Sequence, residues 1–157
     1  MIDRPVPIER LYRDDGEKLW RALYGFGGDA EIASEALNEA FAQLIRRGDG
    51  VRDPAAWVWR TAFRLARGLL AERRTRDDTW AEQDPGASDI DRYANPDLLR
   101  ALRQLPDSQR AAVVLFYYAD LPIRQIADRL GSNGLAVRAN LSRGRRRLRT
   151  LLGDSDD

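Results

Sequence analysis

Apolar residues recur along this chain at steps of three and four, the period of a helix with one buried face, and no stretch alternates like a strand. Ile8, Leu11, Tyr12, Leu19, Leu23 and Phe26 mark a first amphipathic helix, weakened at Gly16 by about 1 kcal/mol relative to alanine. The "GFGG" segment stops it. Asp29 is placed to cap a second helix, whose Ala33, Leu37, Phe41, Leu44 and Ile45 share a face. After the loop "RRGDGVRD", the pair Asp53-Pro54 supplies a cap and a first-turn proline for a long third helix. Trp57, Val58, Thr61, Ala62, Leu65 and Leu69 are its expected core residues.

The pattern breaks after Arg74. From Thr75 to Asn95 the chain carries Asp77, Asp78, Glu82, Asp84, Asp89 and Asp91, with Pro85 and Gly86 and few apolar residues, the signature of an acidic flexible linker. Asn95-Pro96 then repeats the cap and first-turn pair ahead of Leu98, Leu99, Leu102 and Leu105, and Pro106 ends that helix. "DSQRAAVVLFYYAD" is nearly apolar along its middle, so it reads as a central core helix. The expected fold is therefore all-α: two small helical modules, residues 8–74 and 96–152, joined by a linker over 75–95.

Within the second module, Pro122 can open a short helix carrying Ile123, Ile126, Ala127 and Leu130, and Gly131 can end it in a left-handed conformation. Three or four turn residues separate it from a longer helix. That is the spacing of a helix-turn-helix, whose second helix lies in the DNA major groove.

Composition narrows the chemistry. The 157 residues contain no cysteine and no histidine, which excludes disulfides, zinc–thiolate sites, a cysteine nucleophile and the commonest general base and metal ligand. No catalytic residue, metal site or cofactor is expected. The longest apolar stretch, Ala111 to Ala119, is far short of the roughly 20 residues of a membrane helix, and the N-terminus has no secretory apolar run. A soluble, cytoplasmic protein is expected.

A net charge of +1 conceals strong local asymmetry, because "VRANLSRGRRRLRTLL" concentrates six arginines in one stretch. At about 100° per residue, Val137, Leu141, Gly144, Leu148 and Leu151 fall together as the packed face. Ala136, Ala139, Asn140, Ser142, Arg143, Arg146 and Arg147 fall opposite, with Arg138 and Arg145 flanking the stripe. Arginines so placed neutralise phosphates and can read guanine, and asparagine suits adenine. A solvated helix face has the same charge pattern; the preceding turn and short helix favour DNA.

The segment "LPDSQRAAVVLFYYADLPIRQIADRLGSNGLAVRANLSRGRRRLRTLL" resembles region 4 of bacterial RNA polymerase sigma factors of the extracytoplasmic function group, which bind the minus-35 promoter element. "ASEALNEAFAQL" is similar to the family's region 2 helix that docks on the polymerase clamp. "PAAWVWRTAFRLARGLLAERR" is similar to its promoter-melting helix. The resemblance runs from about Leu11 to Leu152 and implies a non-enzymatic transcription initiation factor. Its implied partners are core RNA polymerase, promoter DNA and an anti-sigma factor.

By this resemblance, Arg138, Asn140, Ser142, Arg143, Arg146 and Arg147 contact the minus-35 duplex, and Trp59, Arg60, Arg64 and Arg67 approach the opened minus-10 strand. Glu35, Asn38 and Glu39 face core polymerase, although an ordinary solvated face fits them equally. The loop "RRGDGVRD" takes the place of the family's pocket for a flipped base. The acidic linker resembles the segment that threads toward the polymerase active centre, where its charge would mimic nucleic acid or serve only as a tether. Trp57 is read as a core residue.

Several positions depart from the family pattern. Ala136 and Ala139-Asn140 replace a hydroxyl residue and Ser-Arg near the start of the recognition helix, which puts promoter preference in question. Arg64 replaces a common Asn, Gly68 a common Asp, and Pro122 a Ser or Thr cap. Two rival readings remain: a helix-turn-helix regulator that does not direct polymerase, and a sigma-like interaction decoy that no longer reads DNA.

Overall fold

The structure, a computed structural model, describes residues 7–76 and 95–153; the acidic stretch between them lies outside the described residues. Among the described residues the regular elements are seven α-helices and one short 3-10 turn, with no strand.

Helix α1 (Ile8–Gly27) stops where Gly28 takes a left-handed φ of 70° and donates its N–H to the Tyr24 carbonyl. Asp29 follows as the cap of α2 (Ala30–Arg47), its Oδ1 accepting from Ile32 N–H at 3.0 Å. The other Asp29 oxygen pairs with Arg73 at 2.7 Å, so one carboxylate both starts α2 and ties it to the far end of α3 (Pro54–Arg76). Asp53 caps α3 through Ala56 N–H at 3.2 Å, as the Asp-Pro pair predicts.

The packed faces differ from the pattern in two places. On α2, Ala33, Leu37, Phe41 and Leu44 are buried, but Ile45 is 61% exposed. It follows Leu44 by one residue, about 100° around the helix, and so leaves the stripe. On α3 the core face is Val58, Trp59, Ala62, Phe63, Ala66 and Leu70, with Thr61 also buried. Trp57, Leu65 and Leu69 stand at its margin, half-buried. Val58, Thr61 and Ala62 are thus buried as expected, while Trp57, Leu65 and Leu69 give way to the nearby Trp59, Ala66 and Leu70, because α3 packs on α1, α2 and α6 together and buries a wider face.

The second half contains α4 (Pro96–Arg103), α5 (Asp107–Tyr117), α6 (Ile123–Leu130) and α7 (Gly134–Leu151). Asn95 Oδ1 accepts from the N–H groups of Asp97 and Leu98 at 3.0 and 3.3 Å. Pro106 belongs to the start of α5, while α4 closes through a tight turn in which Leu105 N–H donates to the Leu102 carbonyl. Leu99, Leu102, Leu105, Val114, Leu115 and Ile126 fill the middle of this half.

The two expected helical modules are present, and they pack on each other through one continuous hydrophobic cluster, with α1 against α4 and α5 and α3 against α6. The polar part of this contact is built on the C-terminus of α1, where helix carbonyls lack intrahelical partners and carry partial negative charge. Arg110 Nη1 donates to the Phe26 carbonyl at 2.9 Å, and its guanidinium lies 4.4 Å from the Phe26 ring centre. Arg103 donates to the Gly27 and Gly28 carbonyls at 3.3 and 3.5 Å. Burial pushes both guanidinium pKa values below the ordinary arginine value. A β-carbon at Gly25 would lie 3.0 Å from the Tyr118 ring, so glycine permits the close approach of α1 to the end of α5.

Tyr118 carries a stability cost at this contact. Its hydroxyl is buried with no hydrogen-bond partner, and burial, then the neighbouring Tyr24, push its pKa up to about 12. The folded chain therefore holds this proton more tightly than the unfolded chain. Its contribution is fully present below about pH 10 and is lost as pH rises toward about 12. Tyr118→Phe is expected to raise stability near pH 7 by about 1 kcal/mol and to flatten the alkaline loss. Urea unfolding at pH 7 and pH 11 measures both effects; a variant less stable at pH 7 would contradict the assignment.

Candidate nucleic-acid interface

The most positively charged surface is built on α7, and the turn before it fixes how that helix projects. Gly131 ends α6 at a left-handed φ of 67°, and Ser132 N–H donates back to the Ala127 carbonyl at 2.8 Å. Asn133 then caps α7, its Oδ1 accepting from Ala136 N–H at 2.9 Å. Val137, Leu141 and Gly144 are buried, and Leu148 and Leu151 are half-buried. At Gly144 a β-carbon would sit 2.8 Å from Val113 Cγ2, so α5 and α7 meet almost backbone to side chain.

With that face packed, Arg138, Ser142, Arg143, Arg146 and Arg147 are exposed and Asn140 is half-buried. None of the four arginines has an ion-pair partner among the described residues. Arg143, Arg146 and Arg147 line one open groove of about 480 Å³ with Gln109 and Thr150. Gln109 contributes a buried Oε1 without a hydrogen-bond partner. Arg145 behaves differently: it donates to the Tyr117 hydroxyl at 2.6 Å and lies over the Phe116 and Tyr117 rings, so it braces α7 against α5.

Leu135 was not singled out by the pattern, yet it is 76% exposed in the first turn of α7. A search for apolar residues as core markers passes over it. The signal lay in its position two residues before Val137, about 200° around the helix and hence opposite the buried stripe.

On α3 the four expected strand-binding residues are placed differently from one another. Trp59 is 1% exposed, donates its indole N–H to Asp15 at 2.9 Å and has the Arg129 guanidinium 5.8 Å above its ring. Trp57, expected in the core, is the partly exposed indole, with Arg47 5.6 Å from its ring centre. Arg64 is exposed without an ion pair among the described residues. Arg60 Nη2 donates to the Asp128 carbonyl of α6 at 2.8 Å, and Arg67 Nε pairs with Asp107 of α5 at 2.6 Å. Two of the three arginines are thus engaged by the second half. The loop "RRGDGVRD" is an exposed turn in which Gly48 takes a φ of 63°.

The third set lies on α2. Glu35 and Asn38 are exposed, and Glu39 accepts from Gln43 and Arg46, both at 3.1 Å. These two hydrogen bonds, Gln43 first, hold the Glu39 carboxyl below its usual pKa range. Asn38 also borders an open groove of about 680 Å³ between α1 and α2, together with Tyr12, Trp20 and Leu37.

Comparison with known proteins agrees with this layout. The family described as sigma-70, region 4 matches residues 96–148, from the start of α4 through most of α7. The RNA polymerase sigma factor CarQ of Myxococcus xanthus is 30% identical over 133 residues, covering 78% of this chain and 76% of that protein. The chain spans between 54% and 61% of the length of several longer curated relatives. Two solved structures share its fold. CnrH in complex with the cytosolic domain of CnrY aligns with a TM-score of 0.70 at 23% identity, over 96% of this chain and 89% of that one. The sigma factor RpoE of Bartonella quintana, in complex with the anti-sigma factor NepR, aligns with a TM-score of 0.65 at 18% identity, over 95% and 98%. With region 4 matched across the helix-turn-helix and relatives named as such factors aligned over most of its length, the chain belongs to the extracytoplasmic function group of the sigma-70 family of RNA polymerase sigma factors.

Proposed function

We propose that the chain acts as a sigma factor: it binds core RNA polymerase, holds the opened minus-10 strand with its first half and reads the minus-35 duplex with its second. The observation that carries this reading is the α7 surface, where Arg138, Arg143, Arg146 and Arg147 are exposed on a helix whose other face is locked into a helix-turn-helix. Guanidinium groups held this way neutralise backbone phosphates and release counterions. In this reading Asn140 and Ser142 face the bases, and Arg138, Arg143, Arg146 and Arg147 the backbone.

For the strand, Arg60, Arg64 and Arg67 follow phosphates, and Trp57 is the aromatic available for base stacking. Trp59 instead holds α3 to α1 from inside. Glu35, Asn38 and Glu39, of which Asn38 borders the α1–α2 groove, form the polymerase-facing surface. An anti-sigma factor is the proposed third partner, as NepR is for RpoE in the solved complex. No catalytic role is assigned to any residue, and the site of action is cytoplasmic, where these partners meet.

Engagement of Arg60 and Arg67 by Asp128 and Asp107 has a direct consequence for this role. Arg60 is exposed and Arg67 keeps 40% of its side-chain surface, so a DNA strand competes with the Asp128 carbonyl and the Asp107 carboxylate for these guanidinium donors. The same contacts favour one alternative, a regulator that binds duplex through α7 while Arg60 and Arg67 stay engaged by the second half.

Transcription in vitro with core polymerase from the source organism, on a genomic fragment library, separates the readings. New start sites that depend on the chain are the expected result. Duplex binding with no start sites would establish the regulator, and polymerase binding with neither would establish a decoy.

A further inference from the structure

We infer that Leu135 is a specificity-determining residue that reads a thymine through its 5-methyl group in the major groove. The inference rests on the proposed duplex binding by α7 and adds a residue and a base preference to it.

A recognition helix brings its N-terminal residues to the base edges. On α7 the outward line through that end is Leu135, Ala139 and Ser142, each about one turn after the last, with Arg146 following on the same side. Arg138 flanks this line, its Nη1 reaching back to within 3.6 Å of where a β-carbon at Gly134 would sit, so a cation stands beside the tip while the line itself is apolar as far as Ser142. Near the tip, Asn133 is committed to capping Ala136 N–H, and neither Leu135, Ala136 nor Ala139 has a side-chain donor or acceptor. Leu135 and Ala139 themselves can therefore meet a base only through an apolar contact. The one apolar feature that the major groove offers is the thymine methyl.

Leu135 is also the most exposed of the large apolar side chains among the described residues, at 76%. No residue of α7 is acidic, and six are arginines, so the surroundings of this leucine are complementary to a polyanion. A leucine exposed on a basic helix is best matched by a partner that is anionic overall and locally apolar. A thymine-bearing duplex meets both conditions.

Deoxyuridine differs from thymine only by lacking that methyl, so it isolates the contact. Duplexes would be selected from a random library by the full chain, alone and with core polymerase. Each thymine in the selected site would then be replaced singly by deoxyuridine and affinity remeasured for the native chain and Leu135→Ala. At one position the native chain is expected to lose about fourfold in affinity, the burial of one methyl-sized group. Leu135→Ala is expected to bind the thymine and uridine duplexes equally there, with an unchanged melting temperature.

A native chain indifferent to every uridine overturns the inference, as does a Leu135→Ala chain that keeps the same uridine sensitivity. Unchanged DNA binding with weakened polymerase binding by Leu135→Ala also overturns it and makes the leucine a protein contact. A chain that enriches no sequence in either setting removes the duplex-binding reading itself, a failure distinct from the others.

Discussion

Replacing Arg143, Arg146 and Arg147 together by alanine is expected to weaken duplex binding by roughly a hundredfold at about 0.1 M salt, with little change in folding stability. The three side chains are exposed and line one groove, so they act on the same stretch of backbone. Each phosphate neutralised contributes about 0.9 to the slope of log affinity against log salt, so the triple variant should be shallower by about 2.7. Fluorescence anisotropy across a salt series measures both quantities. Arg145→Ala is the informative contrast, because Arg145 braces Tyr117: it should cost stability and leave the salt slope nearly intact. A triple variant with an unaltered slope would remove α7 as the phosphate-binding surface.

The second large effect is expected at the contact between the halves. Arg103→Ala combined with Arg110→Ala deletes the donors to the Phe26, Gly27 and Gly28 carbonyls and leaves those acceptors without these partners. Charge-assisted hydrogen bonds of this kind contribute about 1.5–3 kcal/mol each, so a loss of about 3 kcal/mol in the docking of the halves is expected. A closed chain of this length has a radius of gyration of about 15 Å, and the double variant should rise well above it in small-angle scattering. Opening also frees Arg60 and Arg67. The same variant should therefore bind single-stranded DNA more tightly while being less stable, a pairing that simple damage to the fold does not produce. An unchanged radius would show that the apolar cluster alone holds the halves together.

Much of the fold could be read from caps. Asp29, Asp53 and Asn95 each precede an apolar helical run, and each accepts the expected backbone N–H; Gly131 ends α6 as its position suggests. The period of three and four fails only where it must choose between adjacent residues. Trp57 and Trp59 are both large and aromatic, and which one turns inward depends on how α3 seats against α1 and α2. No local pattern records that. Asp15, which receives the Trp59 indole N–H, lies 44 residues away.

The joining of the halves was illegible for a related reason. Arg103 and Arg110 donate across the contact to main-chain carbonyls, present at every residue and so unmarked in the sequence, and the Arg67–Asp107 pair joins residues 40 apart that no local pattern connects. On the α7 surface, charge drew the reading to the arginines. Leu135 became visible only once its exposure was known, since an apolar residue on a helix is first taken for core.

The engagement of Arg60 and Arg67 by α6 and α5 finally sets an arithmetic for any ligand of α3 that needs both donors free. If only a fraction of molecules is open, the apparent dissociation constant for a strand at that helix is the intrinsic one divided by that fraction. A closed state favoured by about 2.7 kcal/mol leaves roughly one molecule in a hundred competent and weakens binding a hundredfold without altering a contact. A partner that holds α6 away from α3 restores the full affinity while never touching the DNA. By reciprocity, a bound strand raises the affinity of that partner by the same factor.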